Sequence, residues 1–271
     1  MFPTPEILAP LTPFERLSLR LGRFANGTPA VKTALQHFND AFNSRFLQIV
    51  SAGRVHVVGI EKMIALRPDR GVIIAANHRS FFDMHMITKA LHDHVDWYQR
   101  TFFPIRSAFF YERPAGVLVN AILCGMAAFP PVFRTPEKRE ATRFGMDFLT
   151  DQLRHPGTLV GIHPEGKRGT GSDPYEILPG EPGFGRLVLE ARPIVIPVFL
   201  NGLGNHFGEE FRSTLAGTGT PIVIVFGDPM DLSAFSGGDP HRLRSQIDVS
   251  RVVLDGIRQL AEVERGERAR L

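Results

Sequence analysis

Short apolar runs alternate with amphipathic segments from about residue 55 onward. Runs such as GVIIAA (71–76) and PIVIVF (221–226) are almost continuously apolar, as strands covered on both faces are. The pattern predicts an α/β fold, a mostly parallel or mixed sheet flanked by helices on both faces. The predicted strands are Val55–Ile60, Gly71–Ala76, Val95–Gln99, Thr158–Ile162, Ile194–Leu200 and Ile222–Phe226. The predicted helices are Asp83–Leu91, Ala115–Met126, Glu137–Arg154, Gly185–Glu190 and His241–Glu264.

Two amphipathic helices are predicted before this region, over residues 14–24 and from about Val31 to Val50. The first has an apolar stripe and a neighbouring basic stripe, formed by Phe14, Leu17, Leu21 and Phe24 and by Arg16, Arg20 and Arg23. The second has an apolar stripe formed by Leu35, Phe38, Phe42, Phe46 and Ile49. Basic, Phe-rich helices are typical of a lipid interface. A helical hairpin that caps the main domain is the alternative. We predict a helical segment over 1–50 and an α/β domain over 51–271.

The apolar segment Pro114–Phe133 is the best candidate for a membrane-spanning helix. Pro114 starts the helix and Pro130-Pro131 ends it, so its length is about 22 Å at 1.5 Å per residue. A bilayer core is about 30 Å thick, so we predict a buried or interfacial helix instead. The N-terminal sequence has neither the basic nor the apolar region of a secretory signal.

Composition narrows the function classes only slightly. The chain has 271 residues, and its formal net charge of +3 does not by itself indicate nucleic-acid binding. A single cysteine excludes a disulfide scaffold and a Cys-rich metal site. The His92-Asp93-His94 segment has ligand-type side chains, but consecutive residues point to different sides, so a polar loop is the expectation.

A histidine and an aspartate follow the strand GVIIAA in the segment NHRSFFD (77–83). Open α/β sheets bind ligands at the carboxyl ends of their strands. An aspartate in the first helical turn can reach back to one imidazole nitrogen and leave the other as a general base. We therefore predict His78 as the base and Asp83 as the residue that orients it. The alternative is a surface histidine before a helix.

A second polar segment, HPEGKRG (163–169), follows the strand TLVGI. Lys167 and Arg168 suit an anionic group, either a phosphate or a developing oxyanion. Glu165 could accept hydrogen bonds from a hydroxylated substrate or order the loop. A solvated charged turn is the alternative.

Together these segments resemble the glycerolipid acyltransferase family of 1-acylglycerol-3-phosphate and glycerol-3-phosphate acyltransferases, over about residues 55–205. The family's catalytic H-x4-D block matches His78 and Asp83. Its F-P-E-G-T-R-S block matches 163–169 at Pro164, Glu165, Gly166 and Arg168. Two further blocks match PVFR (131–134) and IPV (196–198). The resemblance implies that the residues binding the acceptor include Arg134, Glu165, Gly166, Lys167 and Arg168.

The chain departs from the family pattern at several positions. His163 replaces the usual Phe, Lys167 replaces Thr and Gly169 replaces Ser. The sequence PGEPG (179–183) stands where many members have P-F-K-K-G. The missing lysines make acyl transfer a firmer expectation than a phosphomonoester acceptor.

The resemblance implies an O-acyltransferase that moves a fatty acyl chain from acyl-CoA or acyl-carrier protein to a hydroxyl of a lysophospholipid or glycerol-phosphate-type acceptor. A thioester is already activated, so we expect no cofactor and no metal ion. The expected partners are the thioester donor, the lysolipid acceptor and a membrane surface bound through the N-terminal helices and the segment 102–133, with no nucleic acid. The expected location is cytoplasmic and peripheral on the membrane. The alternatives are a lipid- or acyl-binding protein of the same fold and a thioesterase.

Overall fold

The computed structural model of the chain describes residues 3–204 and 207–271. Its helices are α1 (Pro5–Leu8), α2 (Pro13–Gly27), α3 (Pro29–Val50), α4 (Ile60–Ala65), α5 (Asp83–His92), α6 (Ser107–Phe110), α7 (Pro114–Cys124), α8 (Arg139–Leu153), α9 (Pro182–Ala191), α10 (Phe207–Leu215) and α11 (Leu243–Arg268). Its strands are β1 (Val55–Val58), β2 (Val72–Ala76), β3 (Arg100–Phe102), β4 (Ile105–Arg106), β5 (Pro131–Val132), β6 (Thr158–Ile162), β7 (Ile194–Asn201) and β8 (Ile222–Phe226). Short 3-10 turns lie at Pro136–Lys138 and Ser233–Phe235.

The described part of the chain forms a six-stranded mixed sheet in the order β1-β8-β7-β2-β6-β3. Strands β7, β2, β6 and β3 are parallel to one another. Strand β8 is antiparallel to β7, and β1 is parallel to β8. The carboxyl ends of the four parallel strands therefore meet at one edge of the sheet, where the two polar segments emerge. A small second sheet pairs β4 with β5.

The apolar runs are continuous because helices cover both faces of the sheet. Along β2, Ile73 and Ala75 pack into a core that includes α8, α9 and α11. The alternating residues Val72, Ile74 and Ala76 pack into the other core, which includes α5. Successive side chains of a strand point to opposite faces, so every position of β2 is buried. The predicted fold class is confirmed.

Several predicted boundaries are wrong. Residues Val95–Gln99 do not form the third strand, which is Arg100–Phe102. The N–H groups of His94 and Val95 bond back to the carbonyl of Leu91, so the chain is still leaving α5 there. The first strand ends at Val58 because Gly59 adopts a φ of +78° and turns the chain into α4.

The N-terminal helices are anchored to the sheet by a buried polar network. The Lys32 ammonium of α3 donates to the carbonyl of Thr101 at 2.6 Å and to Asn26 Oδ1 at 2.8 Å. Asn26 in turn donates to the carbonyl of Met126 at 2.8 Å. Helices α2 and α3 therefore pack on the α/β unit through specific contacts. The boundary between residues 50 and 51 stays a prediction.

Most residues of the predicted apolar stripes of α2 and α3 face outward, whereas Phe14, Leu35 and Phe46 are partly buried. Leu17, Leu21 and Phe24 of α2 are 54%, 45% and 50% exposed, and Phe38 and Phe42 of α3 are similarly exposed. Two of the three arginines in the basic stripe contact the protein itself: Arg16 donates to the carbonyls of Ala9 and Leu11, and Arg23 lies over the ring of Phe148. The third, Arg20, is exposed. Among the described residues, no helix has the length and apolar character needed to cross a bilayer.

Candidate active site

The segment that carries His78 is held rigidly at the carboxyl end of β2. The side chain of Asn77, the preceding residue, makes two hydrogen bonds to the backbone of Leu200 on β7. Its Oδ1 accepts from the Leu200 N–H at 2.8 Å, and its Nδ2 donates to the Leu200 carbonyl at 2.9 Å. This pairing fixes where the backbone of His78 leaves the sheet.

His78 and Asp83 lie side by side, as their spacing predicts. His78 Nδ1 is 3.1 Å from Asp83 Oδ2. The same oxygen accepts from the backbone N–H groups of Arg79 and Ser80, each at 2.7 Å. Asp83 begins α5 and its side chain is 1% exposed, whereas that of His78 is 21% exposed. The aspartate is thus a buried, fixed partner for a partly accessible imidazole.

The segment 163–169 after β6 bonds to both the backbone N–H and the backbone carbonyl of His78. Glu165 Oε1 accepts from the His78 N–H at 2.9 Å, and the Gly169 N–H donates to the His78 carbonyl at 2.8 Å. Glu165 Oε2 accepts from the Leu178 N–H at 2.7 Å, and the residue is 2% exposed. Both carboxylate oxygens thus bond to backbone groups, which favours the loop-ordering alternative for Glu165 over contact with a substrate hydroxyl.

The protonation states follow from burial and charge. Burial lowers the pKa of His78 to about 4, and the positive charges of Arg168 and Arg106 act in the same direction. Burial raises the pKa of Asp83 to about 6, while His163, its backbone hydrogen bonds and Arg168 oppose that change. At neutral pH the imidazole is therefore neutral and the carboxylate is ionised. In that state Nδ1–H donates to Asp83, and the lone pair of Nε2 is not used by this hydrogen bond.

His163 is a neighbour of His78 that we did not predict as a site residue. The two imidazole rings are stacked, with centroids 3.8 Å apart and an interplanar angle of 6°. His163 Nδ1 lies 3.0 Å from the carbonyl of Ala76, which fixes the ring against the end of β2. Burial, followed by the neighbouring His78, lowers the pKa of His163 to about 3, so it is also neutral.

His78, Asp83 and His163 have metal-ligand atoms within 4.8 Å of one another. An imidazole binds a metal ion in the plane of its ring, with the nitrogen about 2.0–2.1 Å from the ion. Because the two rings are stacked in nearly parallel planes, their lone pairs cannot meet at one ion in this arrangement. The geometry suits a hydrogen-bonded base better than a metal centre.

Basic side chains surround the same edge of the sheet. Arg134 lies beside the turn and its Nη2 donates to the Gly166 carbonyl at 3.1 Å. Lys167 and Arg168 are exposed on the turn itself. Arg106, which we did not predict, joins them because β4 pairs with β5 and places Arg106 opposite Val132, two residues before Arg134. The pKa of Arg106 is lowered by burial and by the charges of Arg134 and Arg168, so the three guanidinium groups interact.

The family model for acyltransferases, which covers glycerolipid acyltransferases, matches residues 54–201. The chain belongs to the acyltransferase family. The match begins just before β1 and ends with β7, so it contains His78, Asp83 and the turn that carries Glu165. The family match therefore gives acyl transfer as the general reaction class of this protein. A comparison with curated proteins gives no match.

Some site residues of the acyltransferase lacked a clear signal in the sequence. Arg106 lies on a two-residue strand, and nothing in its spacing links it to Arg134, 28 residues later. Asn77 had a weak signal. It is an amide at the end of a strand, directly before His78, and from that position its side chain can bond to the backbone of a neighbouring strand. His163 was visible as a departure from the family block, but the stacking of its ring on His78 depends on the register of β2 and β6.

Proposed function

We propose that this acyltransferase moves a fatty acyl chain from a thioester to a hydroxyl of a lysophospholipid or glycerol-phosphate-type acceptor, with His78 as the general base. The donor is acyl-CoA or acyl-carrier protein. The observation that carries the proposal is the hydrogen bond between His78 and the buried Asp83, at a strand end beside a cluster of basic side chains. Membership of the acyltransferase family supports the reaction class.

The proposed reaction uses His78 twice. Nε2 takes the proton of the acceptor hydroxyl while the oxygen attacks the thioester carbonyl carbon, which gives a tetrahedral intermediate. The C–S bond then breaks, the ester carbonyl forms, and the imidazolium returns the proton to the departing sulfur. Asp83 stabilises the imidazolium between these steps and keeps Nδ1 protonated throughout. Because the thioester is already activated, no enzyme nucleophile is needed.

The basic groups are proposed to bind the anionic part of the acceptor. Arg134, Lys167, Arg168 and Arg106 present cationic groups around the Pro-Glu-Gly turn. Arginine binds phosphate oxygens bidentately, which would orient the acceptor hydroxyl toward His78. Gly166 has a φ of +63° and supplies the turn with a conformation that other residues rarely adopt.

The acyl chain is proposed to run over the aromatic surface next to His78. Phe81, between the two proposed catalytic residues in the sequence, stacks on Phe110 with ring centroids 6.0 Å apart and meets Phe82 edge to face at 5.1 Å. Helices α6 and α7 continue this apolar region, with Phe109, Leu118 and Ile122 exposed. These groups, together with the outward faces of α2 and α3, support peripheral attachment to a membrane surface.

The test is a panel of acceptors offered to the purified chain with one long-chain acyl-CoA, or with the same chain on an acyl-carrier protein. The panel contains glycerol-3-phosphate, lysophosphatidic acid and lysophospholipids with larger head groups. Product lipids are identified by mass spectrometry and thiol release is followed separately. His78→Ala is expected to lower turnover by about 10²–10⁴-fold. His241→Ala, at an exposed histidine outside the site, is the matched control.

Each other outcome points to a different function. Full turnover in the His78→Ala variant would reject this residue as the base. Thiol release at the full rate without any acceptor would indicate a thioesterase. Saturable lipid binding without turnover of any donor and acceptor pair would indicate a lipid- or acyl-binding protein of the same fold.

A further inference from the structure

One acidic side chain lies within the basic cluster of the proposed acceptor site. Glu181 Oε1 is 3.7 Å from Arg134 Nη2, and both side chains are about half exposed, at 51% and 52%. The charge of Glu181 also acts on Arg106, where it opposes the effect of the neighbouring arginines on the pKa. The cluster that faces a bound head group is therefore of mixed charge.

Two hydrogen bonds fix the backbone of Glu181, and they therefore fix the position from which its side chain extends. Its N–H donates to the Pro164 carbonyl at 2.8 Å, and its carbonyl accepts from Ser250 Oγ at 3.2 Å. The side chain then runs along Gly166, because a Cβ added at that glycine would lie 2.4 Å from Glu181 Cγ and 3.3 Å from Oε1. A glycine at 166 thus lets the carboxylate reach the side of the turn where Arg134 lies.

Stability alone gives a weak reason for the Glu181–Arg134 contact. A separation of 3.7 Å is longer than a charge-assisted hydrogen bond, and exposed pairs of this kind contribute little. The carboxylate also repels a second negative charge, so it works against a head group that carries only a phosphomonoester. It favours a head group with a cation next to its phosphate.

We infer that Glu181 binds the ammonium group of a zwitterionic lysophospholipid while Arg106 and Arg134 bind its phosphodiester. This inference rests on the proposed function and narrows the acceptor class. An ammonium donates to the carboxylate and the two guanidinium groups donate to the phosphate oxygens, so Glu181, Arg106 and Arg134 each meet an opposite charge on the head group. Glu181 is in this view a specificity residue that takes no part in the acyl transfer itself.

The experiment is a competition between three acceptors of equal chain length. Lysophosphatidylethanolamine has a phosphodiester and an ammonium, lysophosphatidylglycerol has the phosphodiester alone, and lysophosphatidic acid has a phosphomonoester. The product ratio in detergent micelles is measured by mass spectrometry. The unmodified protein is expected to prefer the ethanolamine lipid over the glycerol lipid by about tenfold, as a charge-assisted hydrogen bond would give.

Two variants isolate the carboxylate. Glu181→Gln should reduce the preference for the ethanolamine lipid about tenfold by removing the charge, and Glu181→Lys should shift it toward lysophosphatidic acid. The matched control is Asp228→Asn. It breaks an exposed ion pair with Lys62 at 2.9 Å. Asp228 follows β8, which β7 separates from the strand that leads to His78. This control should leave the ratio unchanged.

Two results would overturn the inference. One is an unmodified protein that acylates lysophosphatidic acid or lysophosphatidylglycerol as well as the ethanolamine lipid. The other is a Glu181→Gln variant in which all three acceptors change by the same factor, which would assign Glu181 only to the positioning of Arg134. Failure of the proposed function can be told apart from failure of this inference. In that case no acceptor would give a product that depends on His78.

Discussion

Glu165 accepts a hydrogen bond from the backbone N–H of His78 at 2.9 Å, so the Pro-Glu-Gly turn holds the proposed base by its main chain. The other carboxylate oxygen bonds to the Leu178 N–H. One buried side chain thus joins the end of β2, the turn after β6 and the loop that leads to α9. Burial raises the pKa of Glu165, and the hydrogen bonds from Leu178 and His78 oppose this.

Replacing Glu165 with Gln is expected to damage both stability and turnover. A glutamine offers one acceptor and one donor, so an N–H group would face the N–H of either His78 or Leu178. An unsatisfied buried donor should lower the free energy of unfolding by about 1–3 kcal/mol, measured by chemical denaturation. Glu176→Gln, on the same loop but exposed, should change it by less than about 0.5 kcal/mol. Equal behaviour of the two variants would contradict the ordering role.

The pH dependence of turnover is expected to have an acidic limb and no change near neutrality. As the pH falls, Asp83 takes up a proton first, because burial raises its pKa to about 6, and His78 follows with a pKa of about 4. Protonation of either group weakens the proposed base, so kcat/KM should stay level from pH 8 down to about pH 7 and then fall progressively, with a first step centred near pH 6. A limb centred above pH 7 would mean that His78 is charged in the resting state.

The Asp83→Asn variant separates the titration of Asp83 from that of His78. Asparagine does not ionise, so the step near pH 6 should disappear, and loss of the carboxylate should lower turnover about 10²–10⁴-fold at pH 7. The matched control is Asp93→Asn, which removes an exposed carboxylate paired with Lys89 at the other end of α5. This control should keep the rate and the pH profile of the unmodified protein. A step near pH 6 that survives in Asp83→Asn would belong to another group.

The stacking of His163 on His78 gives a further prediction. His163 is neutral, so we expect its ring to act as a surface that restricts the rotation of His78. His163→Phe keeps an aromatic face and should retain turnover within a few-fold, whereas His163→Ala removes it and should lower turnover by about tenfold or more. Steady-state turnover with saturating donor measures both. Equal losses in the two variants would instead point to the imidazole nitrogens of His163.

The sequence predicted those parts of the molecule that depend on local pattern. Strands β2 and β6 were found as apolar runs because both faces of the sheet are covered. His78 lies close to Glu165 because β2 and β6 are parallel neighbours and parallel strands end at one edge of the sheet. Arg106 and Glu181 were missed, because their place beside Arg134 depends on a two-residue strand pair and on a loop held by Pro164. The wrong strand at Val95–Gln99 has a similar cause, since the turn out of α5 overrides a sequence with good strand propensity.

The outward apolar face of α2 gives the last prediction, which concerns membrane binding. Leu17, Leu21 and Phe24 are each about half exposed, and together they can enter a lipid interface. Replacing all three with Ser should reduce co-flotation with anionic vesicles by about tenfold or more, since each apolar side chain contributes about 1.5–3 kcal/mol when fully buried. Point substitutions are preferable to deletion of residues 1–50, because Lys32 and Asn26 bind the main unit and their loss would disturb folding.

The source of the binding energy can be tested with the same vesicles. Arg16 and Arg23 contact the protein itself, which leaves Arg20 as the exposed arginine of the basic stripe, so we expect the apolar contribution to exceed the electrostatic one. Raising the salt concentration should therefore weaken flotation less than the triple substitution does. Leu243→Ser, at an equally exposed leucine on α11, should leave flotation unchanged. Binding that survives the triple substitution but is abolished by salt would assign attachment to the basic side chains and reject the apolar face of α2 as the anchor.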